Sequence, residues 1–278
     1  MKSVSAFAPA NISLIFKPHK GETSRWSGSL GLGFTLLEGV VVTVKNSKKT
    51  ETLFNRKKID IQTVFDVLRA LTNENLLITI ETKFPLGCGF GISGASALAT
   101  AYAINKLLAL KKSKRELAII AHTQEVKNKT GLGDVTNQFF GGALLKIKPS
   151  SYFSVRKITL KEKVVFCRVF SPLSTKSILS NNKVISRVKT AATKALVNIG
   201  NELRKKNTLT LGDIFSISKQ FVTESGLLMD RDVKNTIEQI EKRRGKASMI
   251  ILGNAVVSET SFPGSTKFFL SDKGATLL

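Results

Sequence analysis

Pro85-Leu86-Gly87-Cys88-Gly89-Phe90-Gly91-Ile92-Ser93-Gly94-Ala95-Ser96-Ala97-Leu98 is the stretch around which the chain is organised. Ahead of it, Leu76, Ile78, Ile80, Thr82 and Phe84 alternate with Leu77, Thr79, Glu81 and Lys83, a period of two that predicts a half-buried strand. Behind it, Ala95, Leu98, Ala101, Tyr102, Ile104, Leu107 and Leu108 recur at helical spacing and predict an amphipathic helix beginning near Ser93. A glycine-rich turn between strand and helix lets the backbone curl round a ligand. It also aims free N–H groups and the helix dipole at an anion. A polyphosphate suits such a cradle.

Other glycine loops fit less well. Gly89-x-Gly91-x-x-Gly94 matches the dinucleotide fingerprint in form, but that unit wants a more continuously apolar strand and a downstream acid. Glu116 falls near the required distance, yet in the first turn of the next predicted helix. No Gly-Lys-Ser/Thr ends a Walker loop, and no His-Arg-Asp or Asp-Phe-Gly element marks a protein kinase.

Working outward, the N-terminal Ser5–Phe16 segment reads as a strand broken by Pro9. Gly28-Ser29-Leu30-Gly31-Leu32-Gly33 reads as a small-residue turn before the strand Val40–Val44. Helical spacing over Asp60–Leu71 gives the order β-β-α-β ahead of the loop. Ser113-Lys114-Arg115-Glu116 has capping-box spacing and opens a helix that ends at Lys129-Thr130-Gly131-Leu132-Gly133-Asp134. A strand is expected over Gly141–Ile147. Pro149-Ser150-Ser151 is the expected seam between an N-terminal unit, 1–150, and a C-terminal α+β unit, 151–278. The latter carries strands at Val164–Phe170, Met249–Leu252 and Lys267–Leu270, and helices over Val184–Lys205, Ile214–Leu228 and Val233–Arg243.

Composition narrows the function. A formal net charge of +23 invites a nucleic-acid partner, but the basic residues are spread along the chain and only one Trp and two Tyr could stack on bases. Nucleic-acid binding is therefore the outside alternative, and a basic surface that attracts small anions the simpler one. No apolar run approaches a membrane span, and Met1–Phe7 lacks a signal-peptide core, so a cytoplasmic location is expected. Cys88 and Cys167 are too few for a disulfide framework or a zinc site.

Three features ask for one explanation: the glycine loop, Glu125, and the Gly131-x-Gly133-Asp134 turn. Phosphoryl transfer needs a phosphate cradle, oxygen ligands for Mg²⁺ and a group that orients or deprotonates the acceptor hydroxyl. The loop offers N–H groups, Ser93 a hydroxyl, Glu125 a carboxylate, and Asp134 a second one on a glycine turn. A solvated helix residue at 125 and a capping carboxylate at 134 are the plain alternatives.

At these residues the chain resembles the GHMP kinases, the superfamily of galactokinase and of homoserine, mevalonate and phosphomevalonate kinases. The likeness rests on Pro85-x-Gly87-x-Gly89-x-Gly91-x-Ser93-Gly94-Ala95. The spellings Gly89-Phe90-Gly91-Ile92-Ser93-Gly94-Ala95 and Ala121-His122-x-x-Glu125-Val126-x-x-x-Thr130-Gly131-Leu132-Gly133-Asp134-Val135 are similar to the archaeal pantoate kinase family. Phe7-Ala8-Pro9, Gly141-Gly142 and Leu252-Gly253-Asn254 extend the likeness along most of the chain.

The resemblance implies an α+β fold of two domains, the first with a left-handed β-α-β unit, and an active site between them. It implies ATP-dependent phosphorylation of a small anionic alcohol, pantoate, with mevalonate or homoserine as rival acceptors. Carried over, Pro85, Gly87, Cys88, Gly89, Phe90, Gly91, Ile92, Ser93, Gly94 and Ala95 match the ATP phosphate loop. Ser93 and Glu125 match Mg²⁺ ligands, and Asp134 the catalytic aspartate. Asn11, Ser29, Gly253 and Asn254 fall where the substrate is approached. Two departures lie on the acceptor side. Pro9-Ala10-Asn11 stands in place of Pro-Gly-His, and Leu30 where Arg is common, which leaves Arg25 or a lysine to hold a substrate carboxylate. The oligomeric state is left open, with a homodimer as one candidate.

Overall fold

In the computed structural model, which describes residues 2–173, 175–206 and 208–278, the chain opens on a long antiparallel hairpin of Ser3–His19 (β1) and Gly28–Asn46 (β2). Pro9 does not break β1. It falls at a register shift between the pairs Pro9↔Gly39 and Asn11↔Thr35, where an irregular ladder tolerates its missing N–H. The expected turn at Gly28–Gly33 is instead the first stretch of β2, so the reversal lies before it.

There follow β3 (Glu51–Phe54), β4 (Lys57–Lys58), α1 (Gln62–Leu71), β5 (Leu76–Glu81), α2 (Ile92–Leu107), α3 (Lys114–Asn128), α4 (Asp134–Phe140), β6 (Ala143–Lys146) and β7 (Arg156–Ile158). Next come β8 (Val164–Ser171), α5 (Thr175–Leu179), α6 (Asn182–Lys206), α7 (Leu211–Glu224) and α8 (Arg231–Lys242). The chain finishes with β9 (Ala247–Met249), β10 (Asn254–Ser258), β11 (Thr266–Phe269) and β12 (Thr276–Leu277). The first sheet runs β12-β1-β2-β5-β3-β4, with β6 on β2 and β7 on β6; the second runs β11-β8-β10-β9. β3 and β5 are parallel neighbours joined through α1. β7 and β12 belong to the first sheet, so segments on both sides of Pro149–Ser151 build it.

The sequence predicted an amphipathic helix after the glycine loop. The structure corrects this: α2 is buried from Gly94 to Ile104 without interruption. It packs on β1 and β2 on one side and on α1 and α3 on the other. Ala95, Ala97, Ala99, Ala101 and Ala103 give it the slim profile that such enclosure needs. The expected capping box at Ser113 is present: Glu116 N–H donates to Ser113 Oγ, and Ser113 N–H to the Glu116 carboxylate. α7 lies against β1 and β9, and α8 against β9 and β10. Among the described residues no helix is long and apolar enough to cross a membrane.

Truncating Leu98, wholly buried in α2, is expected to cost about 2–5 kcal/mol. Urea unfolding of Leu98→Ala checks this, and an unchanged midpoint would contradict the packing described.

Candidate active site

Residues 85–91 carry the chain from β5 to α2. Gly87, Gly89 and Gly91 all have positive φ, at 75°, 84° and 63°. Gly91 is the N-cap of α2 in left-handed geometry and offers no capping side chain. The helix bond from Ala95 N–H to the Gly91 carbonyl is 3.0 Å. Ile92, Ser93 and Gly94, in the first turn ahead of it, present N–H groups that have no partner within the helix. The loop is pinned from several directions. Asn11 N–H donates to the Phe90 carbonyl at 2.9 Å, Leu173 N–H to that of Gly87 at 2.8 Å, and Gln138 Nε2 to that of Gly91 at 2.8 Å. Phe90 joins Phe84 and Phe268 in a cluster of tilted rings, its centroid 4.7 Å from that of Phe84 and 6.2 Å from that of Phe268.

A cleft of about 730 Å³, open mouth included, lies over this turn. Of the expected phosphate-loop residues, Pro85, Gly87, Gly89, Phe90, Gly91, Ile92 and Ser93 line it. Cys88, Gly94 and Ala95 are buried behind the surface. Glu125, Gly131, Gly133 and Asp134 form another part of the wall, joined by Ser13, Ser29 and Lys146. The glycine loop, Glu125 and Asp134 thus meet at one cavity.

Glu125 is 1% exposed, at the end of α3. Thr130 Oγ1 reaches its Oε1 at 3.3 Å, whereas its buried Oε2 has no hydrogen-bond partner. Gly94 and Gly131 make room for this carboxylate; a Cβ on either would sit 2.8 or 2.6 Å from Oε2. Burial, and secondarily the charge of Asp134, pushes its carboxyl up, while Thr130 and Ser93 hold it down. An unpartnered buried carboxylate oxygen beside a serine hydroxyl at a helix N-terminus is a donor set suited to a hard cation that shares phosphate oxygens. Among the described residues no cluster of three His, Cys, Asp or Glu side chains forms a self-sufficient metal cage.

Asp134, the first residue of α4, accepts Asn11 Nδ2 at 2.6 Å and Ser13 Oγ at 3.1 Å, both on Oδ1. Among the described residues no group donates a hydrogen bond to Oδ2, and Asp134 lines the cleft. Lys146, which sequence reasoning missed, is 3% exposed at the end of β6. Its Nζ donates to Asn137 Oδ1 at 2.8 Å and more weakly to the Gly133 carbonyl at 3.4 Å. Burial lowers it to about 8 against the pull of Asp134, and burial raises Asp134 against the pull of Lys146. It is the one lysine or arginine among the described residues lining the cleft. A charged residue closing the apolar run Ala143-Leu144-Leu145 was the available signal.

The acceptor-side expectations divide. Ser29 lines the cleft, and Gly133 packs between its Oγ and Lys146 Nζ. Asn11 is wholly buried behind Asp134. Arg25 is turned elsewhere: Nη1 donates to the Ser151 carbonyl at 3.0 Å and the guanidinium covers Trp26 at 4.4 Å. Gly253 backs onto Cys88, and Asn254 donates to Ser171 Oγ at 2.8 Å; their neighbours Ile251 and Leu252 line the cleft instead.

The family described as GHMP kinases N terminal domain matches residues 60–142. A pantoate kinase of Methanocaldococcus jannaschii is 31% identical over 255 residues, covering 90% of each chain. Another, from Methanospirillum hungatei, is 29% identical over 91% of this chain and 86% of its own. A solved structure titled "Phosphotransferase related to CoA biosynthesis pathway" superposes with a TM-score of 0.85 at 23% identity, covering 99% of this chain and 98% of that one.

Beside the cleft, His122 is fully buried and its Nε2 lies 2.9 Å from the Ser27 carbonyl. Burial lowers its pKa from 6.5 to about 4. The unfolded chain therefore takes up a proton that the folded one refuses, and stability is lost as pH falls through that interval. The full effect is about 3 kcal/mol. The raised carboxyls of Glu125 and Asp134 act in the opposite sense, so the measurement is a difference. Urea unfolding from pH 7 to pH 4 should show the acid-side loss in wild type diminished in His122→Gln; parallel profiles would contradict it.

Proposed function

The chain belongs to the pantoate kinases of the GHMP kinase superfamily, and from that premise we propose that it transfers the γ-phosphoryl group of ATP to the primary hydroxyl of pantoate. The product is 4-phosphopantoate, a coenzyme A precursor. The observation that carries this reading is the convergence of the 85–93 loop, Glu125 and Asp134 on one cleft.

Each wall has a part in the transfer. The N–H groups at the start of α2 hold the phosphates, drawing on the positive end of a 16-residue helix. Ser93 and Glu125 would hold Mg²⁺, whose chemistry is to neutralise charge on the phosphate oxygens. Asp134, tethered through Oδ1, keeps Oδ2 to orient the acceptor hydroxyl and receive its proton. The hydroxyl oxygen then bonds to the γ-phosphorus as the bond to ADP breaks. Lys146, with one donor to spare beyond Asn137 and Gly133, and Ser29 beside it face the acceptor's carboxylate. Lys146 thereby fills the role sought for Arg25.

Coupled ADP release should be largest with pantoate in a panel that includes mevalonate and homoserine. A preference for either of the others reassigns the acceptor. Asp134→Ala should lower kcat about 10²–10⁴-fold with ATP binding retained; wild-type turnover in that variant would refute its role. Ser93→Ala should shift the Mg²⁺ titration to higher concentration, and an unchanged titration removes it from the metal site. Lys146→Met should raise KM for pantoate about 10–100-fold, against little change in KM for ATP.

A further inference from the structure

Two wholly buried asparagines connect Lys146 to Asp134. Lys146 Nζ donates to Asn137 Oδ1 at 2.8 Å, Asn137 Nδ2 donates to Asn11 Oδ1 at 2.8 Å, and Asn11 Nδ2 donates to Asp134 Oδ1 at 2.6 Å. The four side chains come from β6, α4 and β1, so no single element sets their geometry. We propose that Asn137 is a positioning residue of the phosphoryl transfer, relaying the polarity of Lys146 through Asn11 to fix which carboxylate oxygen of Asp134 faces the acceptor. The proposal rests on the kinase reading above.

Donor and acceptor chemistry gives the chain one direction. An ammonium has donors only, so Asn137 must turn its oxygen to Lys146 and its nitrogen to Asn11. Asn11 must then offer its oxygen to Asn137, which sends its NH₂ toward Asp134. One hydrogen of that NH₂ goes to the carboxylate and the other to Ser13 Oγ at 3.1 Å. Flipping either amide would set donor against donor at one end and acceptor against acceptor at the other. With no water-exposed surface on either asparagine, neither clash could be relieved by solvent. Oδ1 is thereby occupied by Asn11 and Ser13, and Oδ2 is the oxygen left for the substrate. A plain buried amide pair would satisfy itself equally well in either orientation; the fixed charges at the two ends remove that freedom.

Asn137→Asp tests the direction with little change of volume. It still accepts from Lys146 but cannot donate to Asn11. The expected result is a fall in kcat of about 10–100-fold, with KM for ATP within twofold, read at a temperature below the variant's thermal midpoint, which the buried acceptor-against-acceptor contact lowers. In ¹⁵N-edited spectra of the ligand-free protein, the Asn11 side-chain amide signals should move. Because Asn137 acts through Asn11, Asn11→Ala/Asn137→Ala should be no slower than Asn11→Ala alone. A kcat for Asn137→Asp within twofold of wild type, or additive losses in the double variant, would overturn the positioning role. Unmoved Asn11 amide signals would overturn the relay whatever the turnover. Moved signals in a protein whose wild type phosphorylates none of the acceptors would support the relay and sink the kinase reading instead.

Discussion

The enclosure of α2 is the constraint from which the cleft follows. A helix apolar on every face must be surrounded, and here β1, β2, α1 and α3 do so. It meets solvent at its two ends, near Lys106 at one and near Ser93 at the other, and its N-terminal end opens on the cleft. That end carries unpaired N–H groups and no acidic residue in its first turn. The same burial that stabilises the first half of the molecule therefore leaves an electropositive opening at a fixed place.

Around that opening the chain sets two carboxyls with different environments. Glu125 sits deep, with one oxygen unpartnered and two glycines cleared around it. Asp134 has one oxygen bound by Asn11 and Ser13 and stands opposite a buried cation. The first arrangement suits a ligand that brings positive charge, the second a ligand that brings a proton to be taken. Lys146 serves the second carboxyl from a distance, through amides, rather than as a direct ion pair.

Much of this was legible from the residues because it rests on local chemistry. The period of two in 76–84, the capping box at Ser113 and the glycine spacing from 87 to 94 each depend on neighbours in sequence. Asp134 follows Gly133 directly and Glu125 lies at the end of the helix before that turn, so both could be singled out from the sequence, and both line the cleft. What escaped depended on distant partners. The Gly28–Gly33 segment looked like a turn, but its small residues answer the close approach of β1. The apolar stripe of α2 looked one-sided until the alanines between its larger residues were found buried as well. Arg25 was the natural cation on charge alone, yet the Ser151 carbonyl and Trp26 hold it. Asn137, and the partners that the charge of Lys146 answers, become visible only once β6 is laid against β2 and α4 against β1.

The glycine turn at 85–91 is short in sequence but is moulded by segments far apart. Backbone from Asn11, Leu173 and Gly253 bears on it, as does the side chain of Gln138. On a ribosome, residues 85–91 would emerge long before the turn at 250–253 exists to press against Cys88. Closing contacts over such separations is slow and comes late. A half-made chain therefore lacks the contacts that give the turn its shape. The final shape of this turn is among the last features the polypeptide acquires.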